Sequence, residues 1–297
     1  MGPLLLFVAV LSATLTGPPD VIPISVSYPA TDDVEALRRD FVLLRRAGFN
    51  AVTTGIAWRD GEPRRGAYNL LSLDRGIAVA TETGLKVQVE VQTEPKPAWT
   101  SDENDAGRFF EYVRRRVEVY PAVIRVSRPV SGSPDENSRA TVGRGEGALT
   151  PSQARRALWS AFARGSRSFR FVDPERPVGP EILALGETVG VITRNPALFA
   201  PLQRRNLRKG DVTIAGDGKI SIDILESNEA IVIIGVNGTA EVRKATITFP
   251  PDIPEAIWQN MEEGMAVHFV MGTKGPVLEH TFAPDDVVVL AIRKQPR

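Results

Sequence analysis

From Val21 to about Tyr120, short apolar runs alternate with segments whose apolar residues recur at helical spacing. This is the pattern of repeated βα units that build a parallel sheet. VIPISVSYP (21–29) predicts the first strand. TDDVEALRRDFVLLRRAG predicts the following helix: Thr31 or Asp32 can cap it, and Val34, Leu37, Phe41 and Leu44 form one apolar stripe that ends at Gly48. AVTTGIAW (51–58), a helix over 70–84 and LKVQVEVQ (85–92) repeat the unit, and the helix NDAGRFFEYVRRRVEVY (104–120) leads to a fourth strand, AVIRVS (122–127).

Beyond Arg128 the periodicity fails. RPVSGSPDENSRATVGRGEGALT reads as a long loop or junction rich in Gly, Ser, Pro and Asn. Order resumes with a helix in PSQARRALWSAFARGS, a strand in SFRFVD (168–173) and a helix in EILALGETVGVITRN. After a Pro- and Arg-containing connector (195–211), KISIDILES, EAIVIIGVN, VRKATITFP, AVHFVMG, PVLEHTFA and DDVVVLAIR are strand-like runs separated by turn signals. They predict a small antiparallel β-sandwich over 206–297, after an α/β region over 20–205. Asn237-Gly238-Thr239 matches a glycosylation acceptor, but its Asn-Gly also suits a tight turn, the preferred reading.

Composition narrows the function classes. The 297 residues, 42% hydrophobic and 24% charged, can bury a sizeable core. Lys+Arg and Asp+Glu are equal at 36, which argues against a nucleic-acid binder. With no cysteine, thiolate metal sites and cysteine nucleophiles are excluded, and His268 and His280 are too few for a triad plus a metal site. The apolar run Leu4–Leu11 and the small residues after it have the order of a secretory signal over 1–19, predicting a secreted or periplasmic protein; an ordinary apolar N-terminal segment is the alternative. No other run has the length of a membrane span.

In parallel βα architectures, ligands bind at the C-terminal ends of the strands. GIAWRDGEPRRGAY (55–68) and QTEPKPAW (92–99) both lie there, and each combines a tryptophan with an acidic-Pro pair. Aromatic rings suit the apolar faces of sugars and carboxylates suit their hydroxyl groups, so Trp58, Glu62, Glu94 and Trp99 are candidate carbohydrate contacts. The alternative is that the tryptophans pack the rims and the glutamates cap neighbouring backbone.

The run from Asp32 to Trp99 resembles the first three βα units of β-galactosidase-like (β/α)8 glycoside hydrolases, family 42 and its neighbours, with Trp58, Glu62, Pro63, Gly66, Tyr68, Gly84, Leu85, Pro97 and Trp99 matching the pattern. LTPSQARRALWSAFARGSRSFRFVD resembles the last helix–strand return of such barrels. The resemblance implies cleavage of β-linked sugars by two carboxylates, an acid/base after the fourth strand and a nucleophile after the seventh, with no metal or organic cofactor. No Asn-Glu pair, the family's acid/base motif, follows AVIRVS. Glu136 is the positional candidate for the acid/base and Glu146 for the nucleophile; Asp173 and Glu175 could touch substrate from the last strand's rim or form a charged turn before Pro177.

About five barrel strands are visible where eight complete the fold, so the fold expected is a shortened, incomplete TIM-type barrel followed by the β-sandwich. Such a sheet exposes edges that other segments or a second copy of the chain must cover. Two functions stay open: a glycoside hydrolase-like enzyme, or an inactive carbohydrate-binding remnant or gene fragment of one.

Overall fold

The computed structural model describes residues 21–100, 102–128, 139–143, 147–216 and 219–294. Its first half follows the βα pattern: β1 (Ile24–Ser27), α1 (Val34–Ala47), β2 (Ala51–Ala57), the short α2 (Trp58–Gly61), α3 (Leu71–Thr83), β3 (Lys86–Gln92), α4 (Glu103–Val117), β4 (Val123–Ser127), β5 (Arg139–Thr141), α5 (Pro151–Ala163) and β6 (Phe169–Val172). All six strands pair in parallel, in the order β4-β3-β2-β1-β6-β5. Six described strands replace the expected five. The extra one, β5, lies in the segment read as loop and is held by pairing Arg139–Thr141 against Arg170–Val172. Among the described residues, β4 and β5 end the sheet.

The cap of α1 is Asp33 rather than Thr31 or Asp32: its carboxylate accepts from Ala36 N–H at 2.9 Å, while Thr31 Oγ1 accepts from Asp33 N–H, and Gly48 ends the helix at φ 110° as expected. Thr150 and Gln153 make a reciprocal capping box at the start of α5. The two faces of the sheet differ. Val26, Val52, Ile56, Val87, Val89, Val91 and Phe171 are buried in one core with Leu37, Phe41, Leu44, Ile77, Phe109, Val113 and Phe162 from the helices. The alternate positions, including Ser25, Thr53, Gln88, Glu90, Arg125 and Arg170, are polar.

The expected single helix in EILALGETVGVITRN is broken into α6 (Pro180–Leu183) and α7 (Gly186–Arg194), followed by α8 (Pro196–Phe199). The break lets α7 meet the end of α1, where Thr193 donates to the Gly48 carbonyl at 2.7 Å.

The second half is antiparallel. β7 (Gln203–Arg204), β8 (Thr213–Gly216), β9 (Ile220–Glu226), β10 (Ala230–Asn237), β11 (Arg243–Thr248), β12 (Ile257–Asn260), β13 (Ala266–His268), β14 (Val270–Gly272), β15 (Gly275–Phe282) and β16 (Val287–Arg293) form two sheets, β13-β12-β16-β10-β9-β7 and β14-β15-β11-β8. Ile224, Ile233, Ile247, Trp258, Phe282 and Leu290 share the core between them. Strands β7, β8 and β12 go beyond the runs picked out in the sequence. β10 is buried at every position because Ile231 and Ile233 face that core while Val232, Ile234 and Val236 join the core of the βα half.

The Arg155-Arg156 pair lies at the junction of the two halves. Arg155 Nε donates to both Glu262 carboxylate oxygens at 3.0 Å, and Trp159 Nε1 and Thr188 Oγ1 donate to Glu262 Oε1 at 3.0 and 3.1 Å. Arg156 pairs with Asp285. Asn237 is fully buried, and its side-chain amide donates to the carbonyls of Glu241 and Ala283, both at 2.7 Å. It ties the turn from inside, which supports the turn reading over a glycan attachment point.

Candidate functional site

A cleft of about 760 Å³ opens at the C-terminal ends of β1, β2, β3 and β6. Ser27 ends β1 and Tyr28 follows it, Thr53 to Ala57 run along β2, Glu90 and Gln92 come from β3, Arg170 and Val172 from β6, and Asp173 and Pro174 from the turn after it, with Arg139 beside them. Its size suits a small organic ligand. Tyr28 is the aromatic residue of the described lining, and its hydroxyl donates to Asp40 Oδ2 at 2.8 Å. Burial, reinforced by that carboxylate, pushes the phenol well above its usual pKa, so it stays neutral at physiological pH.

The structure corrects the expected roles of Trp58 and Glu62 as sugar contacts. Trp58 is fully buried, stacked on Phe109 at 6.2 Å and edge-on to Trp99 at 5.8 Å, so it presents no ring face to a ligand. Its Nε1 donates to Glu62 Oε2 at 2.9 Å, while Gly66 N–H donates to Oε1 at 2.8 Å. Both Glu62 oxygens are therefore engaged inside the protein. Gly66, at φ 77°, has the left-handed backbone this loop needs. Trp99, half-buried, donates from Nε1 to the Glu62 carbonyl at 2.9 Å. These contacts pin the loops after β2 and β3 together, which is the packing-and-capping alternative. Glu94 is exposed, 3.9 Å from Lys96 Nζ, and the cleft lining passes through Gln92 rather than through it.

Asp173 does line the cleft. Its Oδ1 accepts from the backbone N–H groups of Glu175 and Arg176, each at 3.0 Å, so it also shapes the turn that was the alternative for this segment. Glu136 and Glu146 lie outside the described residues.

The sequence reading passed over the polar side of the sheet. Glu90 and Arg170 form an ion pair between β3 and β6, with side chains 22% and 19% exposed, in the cleft floor. Beneath it, Ser25 Oγ lies 2.8 Å from Thr53 Oγ1, Thr53 donates to Gln88 Oε1 at 3.1 Å, and Gln88 Nε2 donates to Ser168 Oγ at 3.2 Å. The signal was the alternation in KVQVEVQ: Gln88, Glu90 and Gln92 fall on one face of a strand that a fully buried parallel sheet would make apolar throughout. No cluster of metal-ligating side chains occurs among the described residues.

The family model for β-galactosidase, glycoside hydrolase family 42, matches residues 27–111. The chain resembles the β-galactosidase-like glycoside hydrolases. A solved catalytic mutant of a family 42 β-galactosidase from G. stearothermophilus is similar with a TM-score of 0.65 at 8% identity, covering 95% of this chain and 99% of that one. A family 39 glycoside hydrolase from Bacteroides cellulosilyticus gives 0.59 at 11% identity, covering 92% and 81%. A maltogenic α-amylase from Thermotoga neapolitana gives 0.59 at 12%, covering 94% and 100%. At these identities the likeness is one of fold. No curated protein matches the chain. The parallel sheet is thus glycoside hydrolase-like in fold, and the matched segment runs from Ser27 at the end of β1 through β2 and β3.

Proposed function

We propose that this glycoside hydrolase-like chain acts on a β-linked sugar held in the cleft at the ends of β1, β2, β3 and β6. The observation that carries the reading is a coincidence of place: Ser27, Tyr28, Thr53 to Ala57, Asp60, Ser72, Glu90 and Gln92 line the cleft and also fall within the segment that matches the β-galactosidase model. Hydrolysis would use one carboxylic acid to protonate the leaving oxygen and a second carboxylate at the anomeric carbon. Glu136 and Glu146 are the pair assigned to these steps by position. The apolar run Leu4–Leu11 supports export, with action outside the cytoplasm.

A second reading, carbohydrate binding without hydrolysis, is favoured by one feature of the cleft. Glu90 is engaged with Arg170 and Asp173 with two backbone amides, so both are committed to internal partners. Release of nitrophenol from a nitrophenyl β-galactoside, with Glu136→Gln and Glu146→Gln alongside the native chain, separates the two. Turnover abolished by either substitution supports the hydrolase. Absence of turnover in folded protein that still binds methyl β-galactoside supports the binding protein. Absence of both removes the sugar reading.

A further inference from the structure

The floor of the cleft presents an acceptor and a set of donors side by side. Glu90 Oε1 accepts from Arg170 Nη1, and among the described residues no other hydrogen bond reaches either side chain. Glu90 Oε2 and the Arg170 Nε and Nη2 groups are neither bonded nor buried, and so open into the cleft that both residues line.

The pair is carried by strands that are held on both sides: β3 pairs with β2 and β4, and β6 with β1 and β5. Its members reach each other across β2 and β1, over the polar layer in which Thr53 donates to Gln88 Oε1 and Gln88 Nε2 donates to Ser168. Gly55 lies opposite Glu90 in the register of β2 and β3 and also lines the cleft, so no side chain from β2 screens the carboxylate at that level. A Cβ on Gly55 would stand 2.8 Å from the Glu90 carbonyl oxygen, too close to be accepted without moving the strand. Polar groups fixed in this way are preorganised for a ligand.

The chemistry of the pair selects that ligand. Its charges cancel, so an ionic group finds no surplus to neutralise. What remains is a carboxylate oxygen beside guanidinium N–H groups, each able to make a charge-assisted hydrogen bond. Hydroxyls on adjacent carbons of a sugar ring match both: one donates to the carboxylate while its neighbour accepts from the guanidinium. We propose, building on the sugar-binding reading above, that Glu90 and Arg170 together recognise a vicinal diol of a neutral sugar ring.

Calorimetric titration of the full chain with methyl β-galactoside and with its 2-, 3- and 4-deoxy and deoxyfluoro analogues tests this. The 3-hydroxyl belongs to both vicinal pairs of that ring, so the 3-deoxy analogue and one of its two neighbours are expected to bind about tenfold to a hundredfold more weakly, the value of a hydrogen bond to a charged group. Fluorine accepts a hydrogen bond but has no proton to give. It should restore affinity at the position facing Arg170 and fail to do so at the position facing Glu90. The paired substitution Glu90→Leu with Arg170→Met removes the ion pair as a unit and should bring the deoxy penalties toward one, with circular dichroism confirming the fold. A 3-deoxy analogue that binds like the parent, fluorine tolerated at both positions or at neither, or penalties that survive in the paired variant overturn the diol site and leave the sugar reading standing. Failure of methyl β-galactoside to bind the folded native chain overturns both.

Discussion

Trp58 Nε1 donates to Glu62 Oε2 at 2.9 Å, and both residues lie within 3% of complete burial. The carboxylate is an acceptor at both oxygens, serving the indole on one side and Gly66 N–H on the other. An amide in its place has one acceptor and one donor end, so one of these N–H groups must face another donor. Glu62→Gln is therefore expected to destabilise the chain by about 1–3 kcal/mol. Urea unfolding followed by tryptophan fluorescence reads this directly; an unchanged midpoint would show that the carboxylate does not hold the loop.

The junction between the two halves has its own hub. Glu262 is 11% exposed in its side chain and takes donors from Arg155, Trp159 and Thr188. Removing the carboxylate takes one of two acidic partners from the half-buried Arg155 guanidinium and leaves the Trp159 and Thr188 donors without their acceptor, at a cost of about 1–3 kcal/mol. Glu262→Ala should show this loss in a calorimetric scan, while Arg155→Met combined with Glu262→Met should recover part of it, because the Arg155 charge goes with its partner and Asp286, with His280 3.8 Å away, is the one carboxylate that loses a contact. A double variant as unstable as the single one would mean that packing, rather than the charge pair, joins the halves.

These two cases show how far the chain could be read in advance. The βα alternation was legible because each strand's apolar run and each helix's stripe are local patterns, and Gly48 and Gly84 ended α1 and α3 where expected. Three-residue β5 has no such pattern; its identity comes from pairing with Phe169–Val172, which no local window contains. Trp58 and Glu62 were recognised as unusual, but the same residue types serve a sugar or a packed rim, and burial alone decides between them. Glu90 and Arg170 are 80 positions apart and meet only because the sheet order brings β6 beside β1.

Asp286 supplies a pH dependence with a definite sign. Burial alone would raise its pKa, but His280 3.8 Å away, the charge and hydrogen bond of Arg155 and the Val287 N–H outweigh burial and hold the carboxyl below its usual value. The ionised form is thus favoured in the folded state. Its contribution is complete above the unfolded carboxylate pKa of about 4 and is lost as pH falls through the lower folded value. Asp286→Asn should reduce stability at neutral pH and flatten the acid limb of a plot of unfolding free energy against pH. An acid limb of native steepness in the variant would assign the dependence to other carboxylates.

Two glycines in helices make opposite predictions. A Cβ on Gly186, at the start of α7, would stand 2.3 Å from the Ala47 carbonyl oxygen, a backbone atom that cannot rotate away. Gly186→Ala must therefore push α7 off the end of α1, at a cost of about 1–3 kcal/mol. A Cβ on Gly76, inside α3, would meet nothing within 4 Å. There the substitution only removes backbone freedom from the unfolded chain and raises helix propensity, so Gly76→Ala should stabilise by about 0.5–1 kcal/mol. Thermal melts of the two variants should move in opposite directions from the native chain. A shift of the same sign in both would mean that α1 and α7 do not approach as closely as the Gly48 and Gly186 backbones place them.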